Sequence, residues 1–391
     1  MNGRHLVSLL TTILFIAVVL EACTNPDPNS GIDPLLSTPT LPDITTAPVS
    51  NTLTNDTALL GQALFWDPIL SGSKDVACAT CHHPHNAYTD GLDLSLGTNA
   101  TGFGQNRQFR SPNDIPVSKR NAPTLLNAAF NGMDSNGNYD PLTAPMFWDS
   151  RTQSLENQVK GPLSTFEEMR GHAYSETLSL DSLVARLSAI PEYQQLFQKA
   201  FGNGPTITPS KIGKAIATFE RTLTAMNSPY DRYLRGEKTA LNDQQLQGML
   251  IFKDEGCHLC HAGPMFSDYK LHILSVPDNP KLASTDAGAG GTYAFRTPSL
   301  RNVGQTAPYM HNGVFQTLKQ VLKFYDDIGE PISQNPHVPV QQLDPKIQRI
   351  ALRDAEQDQL IAFLNALSDP GFDKFIPTRV PSGLQPGGTI K

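Results

Sequence analysis

The sequence predicts a mainly α-helical protein that is built from two related halves and long loops. Apolar residues recur at helical spacing in four segments, residues 175–201, 208–224, 243–252 and 355–367. Alternation of the kind that forms strands is scarce. A Gly-x-x-[Leu/Ile]-Phe pattern occurs at 61–65 and again at 248–252, each time before a Cys-x-x-Cys-His pentad. This recurrence indicates a diverged repeat.

The two pentads point to covalently bound haem. In this pattern each cysteine thiol adds to a haem vinyl group, and the adjacent histidine meets the iron. One pentad alone could also be a zinc half-site or a dithiol redox centre. Two pentads that use four of the five cysteines favour two c-type haems. The attachment residues are then Cys78, Cys81 and His82, and Cys257, Cys260 and His261.

Four segments are expected along the chain. Residues 1–22 resemble a lipoprotein signal peptide. Their apolar run has about the length of a signal-peptide core and is shorter than the roughly 20 residues of a membrane-spanning helix. Residues 23–54 are mostly Pro, Thr, Ser, Asn and Asp, a composition that predicts a flexible tether. Two cytochrome c-like haem domains are expected after it, an N-terminal one at 55–228 and a C-terminal one at 229–391.

Cys23 is the fifth cysteine, and it directly follows the apolar run. A Leu-x-Ala-Cys ending resembles the bacterial lipobox, in which the signal is cleaved before a cysteine that is then lipidated. Thr24 after the cysteine favours the outer membrane by the same resemblance. The alternative is an ordinary secretory signal that leaves a free thiol. We therefore expect a periplasmic or cell-surface protein that contacts the membrane only through its lipid anchor.

The charge balance excludes one class of partner. The formal net charge is −7, charged residues make up 17% of the chain, and no basic cluster is present. Nucleic acids and anionic membrane surfaces are therefore not expected as partners.

Four further motifs carry a resemblance to a known family. They are Arg120–Leu125, Phe147–Arg151, Arg296–Val303 and Thr306–Gly313. Together with the pentads, they make the chain similar to the bacterial di-haem cytochrome c peroxidase and MauG family over roughly residues 55–370. The resemblance implies that hydrogen peroxide reacts at the N-terminal haem. The C-terminal haem then passes electrons or stores oxidising equivalents.

The resemblance also implies roles for individual residues. Glu168 matches the glutamate that moves protons beside the peroxidatic iron, and Gln158 and Pro162 match other residues of that pocket. Trp148 matches a tryptophan that lies between the haems. Without the resemblance, Glu168 would be a solvated helix-end carboxylate and Trp148 an ordinary core residue.

An inter-haem calcium ion is a further implication of the resemblance. Asn121, Thr306 and Pro308 match its ligand positions, the last two through backbone carbonyl groups. Carbonyl and amide oxygens suit a hard cation such as Ca²⁺.

One departure from many family members concerns the N-terminal haem. In those proteins a loop histidine blocks the peroxidatic iron until reduction moves it away. No histidine occurs between His85 and His172, so the long loop at 95–118 has none to offer. His83 and His85 lie too close in sequence to His82 to swing across the haem. We therefore expect an N-terminal haem that stays five-coordinate or water-bound.

A second departure concerns the C-terminal haem. Tyr325 stands where many family members have a methionine ligand, as it does in MauG-type proteins. An anionic phenolate favours oxidised iron, whereas a neutral thioether favours the ferrous state. Tyr325 could instead be a core aromatic residue, and Met310 or Met265 could take the ligand position.

The route by which oxidising equivalents leave the protein is also expected to differ from that of MauG. Glu255 replaces the surface tryptophan that MauG has two residues before its second pentad. Tyr269, Tyr293 and Tyr309 are alternative relay candidates.

The resulting functional expectation is a MauG-like di-haem peroxidase that oxidises an external donor, such as a residue of a partner protein. The first alternative is a cytochrome c peroxidase that removes peroxide with electrons from a small cytochrome c or a copper protein. The second alternative, from another class, is a non-catalytic di-haem electron-transfer lipoprotein.

Overall fold

The structure, a computed structural model, describes residues 38–202, 207–330 and 332–390. The proposed signal peptide and Cys23 lie outside this part of the chain. Most regular structure in the described residues is helical, which confirms the mainly α prediction. None of the described helices has both the length and the apolar character needed to cross a membrane.

The regular elements are short and are joined by long loops. The α-helices are α1 (Asn55–Trp66), α2 (Cys78–Cys81), α3 (Leu155–Gln158), α4 (Lys160–Ser164), α5 (Ser179–Ser188), α6 (Pro191–Phe201), α7 (Pro209–Glu220), α8 (Pro229–Leu234), α9 (Asp243–Asp254), α10 (Leu318–Gly329) and α11 (Asp354–Ala366). Three antiparallel strand pairs accompany them: β1 (Ala100–Thr101) with β2 (Gln108–Phe109), β3 (Pro145–Met146) with β4 (Thr152–Gln153), and β5 (Leu271–His272) with β6 (Phe295–Arg296).

A close helix crossing organises the N-terminal core. Helix α1 passes α7 at Gly61, where an added Cβ would lie only 2.0 Å from the carbonyl oxygen of Ala215. Phe65, one turn further on, packs its ring 5.1 Å from that of Phe219. Because glycine has no side chain, the two backbones approach closely enough for their apolar faces to form one core with α5 and α6.

The C-terminal core repeats this crossing with different residues. Helix α9 passes α11 at Gly248, where an added Cβ would lie 2.0 Å from the carbonyl oxygen of Gln359. The rings of Phe252 and Phe363 are 5.4 Å apart, as in the first crossing. Helix α10 completes this core. The two Gly-x-x-[Leu/Ile]-Phe motifs therefore mark equivalent positions in two similar helical units.

The end of the chain packs on the N-terminal unit. Phe372 and Val380 are buried in the N-terminal core. The Thr80 hydroxyl donates a hydrogen bond to the carbonyl of Gly387 over 2.8 Å, and the amide of Gly387 donates to Trp66. The expected C-terminal domain, 229–391, therefore includes a tail whose contacts are with the other unit. In its described residues the tail forms no helix or strand after α11, so no periodic pattern in the sequence marks these contacts.

The described part of the expected tether also makes packing contacts. Leu41 is only 6% exposed and packs with Phe130, Met133 and Met265. The Asn51 amide donates hydrogen bonds to the side chain of Glu156 and to a backbone carbonyl. Between Leu41 and Asn51 the chain is thus bound to the protein, in contrast to the flexible segment expected up to residue 54.

The crossing predicts that Gly61→Ala destabilises the protein. The new Cβ would overlap a backbone carbonyl that belongs to helix α7 and has little freedom to move. We expect a loss of about 3 kcal/mol in the free energy of unfolding, at the upper end for overpacked cores. Chemical denaturation measures it. Leu59→Ala is the control, because Leu59 lies on the same helix but is 50% exposed; its effect should stay within about 0.5 kcal/mol. Equal effects of the two substitutions would contradict the role of the crossing.

Candidate active site

The first pentad orients its histidine for metal binding. Cys78 and Cys81 lie on the single-turn helix α2, and His82 follows directly. The Nδ1 atom of His82 is 3.1 Å from the carbonyl oxygen of Tyr88. Since a carbonyl only accepts hydrogen bonds, Nδ1 carries the proton and Nε2 keeps the lone pair that a metal requires. Burial lowers the pKa of His82, so the ring stays neutral.

The second pentad has the same arrangement. A 3₁₀ turn, Cys257–Leu259, carries the first cysteine, and the Nδ1 atom of His261 lies 2.9 Å from the carbonyl oxygen of Phe266. Burial again lowers the pKa of the histidine. Both histidines are therefore held as neutral ligands by a backbone acceptor a few residues further along.

The cysteines are suited to haem attachment and poorly suited to zinc. Burial raises the pKa of the Cys78 thiol, and it raises those of Cys81 and Cys257 to about 12. Zinc and dithiol redox centres need thiolates, which these surroundings disfavour. Cys257 and Cys260 open instead onto an apolar cavity with His261 in its wall. The two cysteines, the oriented histidine and the apolar walls fit a covalently bound haem.

Tyr325 and Met310 line the same cavity as the second pentad. Tyr325 comes from α10, and burial raises the pKa of its hydroxyl, with negative charge at Cys260 and Cys257 adding to the effect. Its hydroxyl thus lies in an apolar environment near both attachment cysteines. Met265 lies elsewhere, in the cluster with Leu41 and Phe130. Of the two alternative ligands considered above, only Met310 shares this cavity with Tyr325.

Glu168 lies on a rigid turn near the first pentad. The segment Phe166–Arg170 forms a single π-helical turn, a distortion that is frequent at functional sites. The Thr98 amide donates a hydrogen bond to the carbonyl of Glu168, and Gly97 packs so closely that an added Cβ would lie 2.3 Å from that oxygen. Loop 95–118 therefore clamps the backbone that carries the carboxyl group.

The Glu168 carboxyl group is poised to exchange a proton near neutral pH. Burial, helped by the negative charge of Glu167, raises its pKa to about 7, although Arg151 opposes the change. The charge of Glu168 in turn contributes, after burial and Asp90, to the raised pKa of Cys81. This effect of its charge on Cys81 indicates that the carboxyl group lies near the first pentad.

Gln158 and Pro162 lie on the two short helices that lead to this turn. Gln158 ends α3, and Pro162 is in the middle of α4. The Thr165 amide donates to the carbonyls of Gly161 and Pro162, and this one extended residue separates α4 from the turn that carries Glu168. Their roles in the pocket stay predictions.

Trp148 lines the cavity of the second pentad although it belongs to the N-terminal half of the chain. Its indole Nε1–H donates to the carbonyl of Asn121 over 2.9 Å. The backbone amide of Asn121 donates in turn to the backbone carbonyl of His311, which also lies in the wall of this cavity. Trp148 is therefore held between the two halves, next to the second haem site.

The residues of the expected calcium site are not directly joined. The Asn121 side-chain amide donates to the carbonyls of Leu92 and Asp93. The Thr306 hydroxyl donates to Val303, within its own turn. Among the described residues, no hydrogen bond connects Asn121 with Thr306 or Pro308. The calcium ligands stay a prediction from the resemblance.

The histidines closest to the first pentad are engaged elsewhere. The ring of His83 packs edge-on against Trp66, Phe103 and His85, with centroids 4.6 to 5.5 Å away. Burial lowers its pKa to about 4. His172 pairs with Asp114 at an exposed position. The open sixth position of the peroxidatic iron stays a prediction.

Two charged clusters near the second site did not emerge from the sequence. Arg120 pairs with Asp149 and, through two hydrogen bonds, with Asp286, which lines the cavity. His272, another lining residue, is held between Asp268 and Asp344; hydrogen bonding, first of all to Asp268, raises its pKa to about 10. The partners are between 4 and 166 positions apart in the sequence, and Arg120 within its motif was the one available signal.

Two haem-attachment sites, each in a small helical unit, define a di-haem c-type protein. A family model described as di-haem cytochrome c peroxidase matches residues 55–239. The methylamine utilization protein MauG of Methylophilus methylotrophus is 33% identical over 376 residues, 93% of this chain and 95% of that protein. The cytochrome c551 peroxidase of Nitrosomonas europaea is 30% identical over 335 residues, 84% of each chain.

The chain therefore belongs to the di-haem cytochrome c peroxidase and MauG family, and it is a peroxide-dependent oxidoreductase with two c-type haems. Among solved structures, a MauG-like protein associated with microbial copper homeostasis has a TM-score of 0.67 and 26% identity. That comparison covers 85% of this chain and 95% of the other. The resemblance read from the sequence is thus confirmed, and the non-catalytic alternative is not supported.

The attachment sites predict haem stoichiometry. The double substitution Cys257→Ala/Cys260→Ala should reduce the bound haem from two per chain to one, and Cys78→Ala/Cys81→Ala should do the same, because each pair holds one haem covalently. Pyridine haemochrome absorbance per protein measures the ratio. Cys23→Ser is the control and should leave both haems. Two haems after loss of either pair would contradict this assignment.

Proposed function

We propose that this protein is a MauG-like peroxidase in which an open N-terminal haem site reacts with hydrogen peroxide and a His/Tyr-ligated C-terminal site shares the oxidising equivalents. When bound, the N-terminal haem supplies an iron that accepts peroxide and takes up its two oxidising equivalents. The observation that carries the proposal is the inequality of the sites: a partly buried carboxyl group, Glu168, near the first pentad and a partly buried tyrosine, Tyr325, in the cavity of the second.

Glu168 supplies acid/base catalysis at the N-terminal site. Cleavage of an O–O bond needs a proton moved from one peroxide oxygen to the other, and a group with a pKa near 7 can both accept and return it. The pKa of Glu168 is about 7 because of burial. Its clamped π-turn keeps the carboxyl group in place during the transfer.

The absence of a competing ligand supports an N-terminal iron that is ready to react. The sequence between His85 and His172 has no histidine, and the rings of His83 and His85 pack in an aromatic cluster with Phe103. The protein should therefore react with peroxide in its fully oxidised form, without prior reduction.

Tyr325 closes the C-terminal site in this proposal. Its environment keeps the hydroxyl protonated when no cation is near, because burial raises its pKa. A ferric iron supplies the positive charge that makes the phenolate favourable there. Charge donation from a phenolate stabilises oxidised iron, so the second site should store oxidising equivalents more readily than it accepts electrons.

In this proposal Trp148 connects the two sites. The last step is the oxidation of an external donor. Its hydrogen bond to Asn121 holds the indole ring at the cavity of the second pentad. A residue of a partner protein is the donor that we infer. Export to the periplasm with a lipid anchor at Cys23, and a Ca²⁺ ion near Asn121, are parts of the proposal that rest on sequence resemblance.

One observation favours a second candidate function. Met310 lines the cavity together with Tyr325, and a thioether ligand there would raise the haem potential. The protein would then act as a cytochrome c peroxidase that removes peroxide with electrons from a small cytochrome c or a copper protein.

Glu168→Gln tests the acid/base role. The carboxyl group is mostly protonated below pH 7 and ionised above it, so the wild-type rate of reaction with peroxide should rise from pH 5 to 7 and level off by pH 8. The variant should be at least about 100-fold slower at pH 8 and independent of pH. Stopped-flow absorbance measures the rate.

Glu167→Gln is the matched control, because it removes the same charge from the same turn. It should keep the wild-type rate at high pH and move the midpoint to lower pH, since the charge of Glu167 raises the pKa of Glu168. A Glu168→Gln enzyme as fast as wild type would exclude the proposed role.

Ligation of the second iron is tested by Tyr325→Met and Tyr325→Phe. Loss of the phenolate should change the ferric absorption and electron paramagnetic resonance spectra of the C-terminal haem alone and raise its midpoint potential. Met310→Leu should leave both unchanged. The reverse pattern, with spectra altered only by Met310→Leu, would rule out tyrosine ligation and support the second candidate function.

A further inference from the structure

A second buried carboxyl group lies near the first haem site, and the mechanism above does not use it. Glu220 is the last residue of α7 and is only 4% exposed. Its Oε2 atom is buried and has no hydrogen-bond partner among the described residues. A carboxyl group in such a place strongly prefers its neutral form.

The charged groups around Glu220 do not neutralise a negative charge on its carboxyl group. Arg221 is adjacent, but its guanidinium group is paired with both oxygens of Glu156 at 2.7 and 3.1 Å. Glu156 adds negative charge to the surroundings, and the charge of Glu220 in turn acts on Cys78 of α2. Burial raises the pKa of Glu220 to about 8. The positive charge of Arg221 opposes this shift, and the negative charge of Glu156 adds to it.

Glu220 ends helix α7, which packs on the helix that leads to the first pentad, and its charge acts on the attachment cysteine Cys78. After burial, the charge of Glu220 is the largest cause of the raised pKa of Cys78. In the holoprotein this sulfur is bonded to the haem, so a charge on Glu220 would act on the haem at short range. In a medium of low dielectric constant such a charge is only weakly screened.

The internal repeat provides a comparison within the same chain. Phe219 and Phe363 each place their Cβ 2.8 Å from the Cβ that would be added at the crossing glycine, so they are equivalent. The residues that follow are then equivalent too: Glu220 in the N-terminal unit and Leu364 in the C-terminal unit. Leu364 is 5% exposed and lines the cavity of the second pentad. One unit therefore has a titratable group where the other has an apolar one.

We infer that Glu220 couples proton uptake to reduction of the N-terminal haem iron, whereas Leu364 leaves the C-terminal haem without such coupling. If an external one-electron donor reduced an iron held at this site, the added negative charge would favour the neutral carboxyl group, and one proton would pass from water to the carboxylate. Loss of that electron to a one-electron acceptor would return the proton to water. Glu220 acts through the haem and does not contact peroxide. The inference rests on haem attachment at Cys78 and goes beyond the proposed peroxidase function.

The midpoint potential of the N-terminal haem, measured against pH, tests this coupling. In the wild-type holoprotein it should fall between pH 7 and 9, approaching a tenfold change in the ferric/ferrous equilibrium constant per pH unit, ~59 mV for one electron. Glu220→Gln should remove this dependence and hold the potential near the wild-type value at low pH. Spectroelectrochemistry of each haem gives both curves. An unchanged slope in Glu220→Gln would overturn the inference.

Further variants separate Glu220 from its neighbours. Asp90 is also buried, and it has an unpartnered Oδ2 atom; its charge acts on the other cysteine, Cys81. Asp90→Asn should keep the pH dependence above pH 7, and its loss there would assign the coupling to Asp90 instead. Glu220→Leu, which copies the second unit, should behave like Glu220→Gln and replaces it if the amide variant does not fold.

The C-terminal haem is the internal control, since its potential should be the same in all these variants. The reaction of the oxidised enzyme with peroxide is measured separately. A coupled potential without peroxide reactivity would refute the proposed function and leave the inference standing. Peroxide reactivity with a potential that is independent of pH would refute the inference and leave the proposed function standing.

Discussion

The glycine-mediated helix crossing is the constraint on which the rest of the structure depends. At Gly61 and again at Gly248, two backbones approach so closely that no side chain fits between them. This contact brings the helix before each pentad against the last helix of its unit, and the apolar residues around it form the two cores. The attachment cysteines and the metal-binding histidines are then fixed on short turns beside these cores. The apolar cavity at the second pentad includes Leu364, which follows the crossing residue Phe363 on α11.

The two units use this common framework for different purposes. Near the first pentad, the carboxyl groups of the partly buried Glu168 and the buried Glu220 have raised pKa values, and both can exchange protons near neutral pH. Near the second pentad the equivalent space is lined by apolar residues such as Leu364, by Tyr325 and by ion pairs in which each charge has a partner. The proposed function therefore assigns proton movement to the first site and the storage of charge to the second. Such a division is what two-electron chemistry with peroxide requires, because the bond cleavage needs a proton and the second oxidising equivalent needs storage.

The sequence predicts those features whose residues lie close together in the chain. The pentads predicted both haem sites, because haem attachment and the iron ligand lie within five consecutive residues. The glycine motifs predicted the repeat for the same reason. Contacts between distant segments left no pattern: the tail that packs Phe372 on the N-terminal core, the buried side chain of Leu41 and the pairing of Arg120 with Asp286. Glu220 was hidden in an ordinary helical segment, and only its equivalence to Leu364 in three dimensions reveals that it is unusual.

The raised pKa values of Glu168 and Glu220 lower the stability of the folded protein at neutral pH. This cost supports a functional role for the two carboxyl groups. For Glu168 and Glu220 the pKa in the folded protein is about 7 and about 8, above the value of 4.5 expected for the unfolded chain. The folded state thus binds more protons than the unfolded state between these values, and stability falls as pH rises from about 4.5 to 8. Leucine at both positions would avoid this loss, and the second unit has leucine at the position equivalent to Glu220. A protein that only attached two haems would have no reason to retain either acid, whereas proton-coupled chemistry at one haem gives a reason for both.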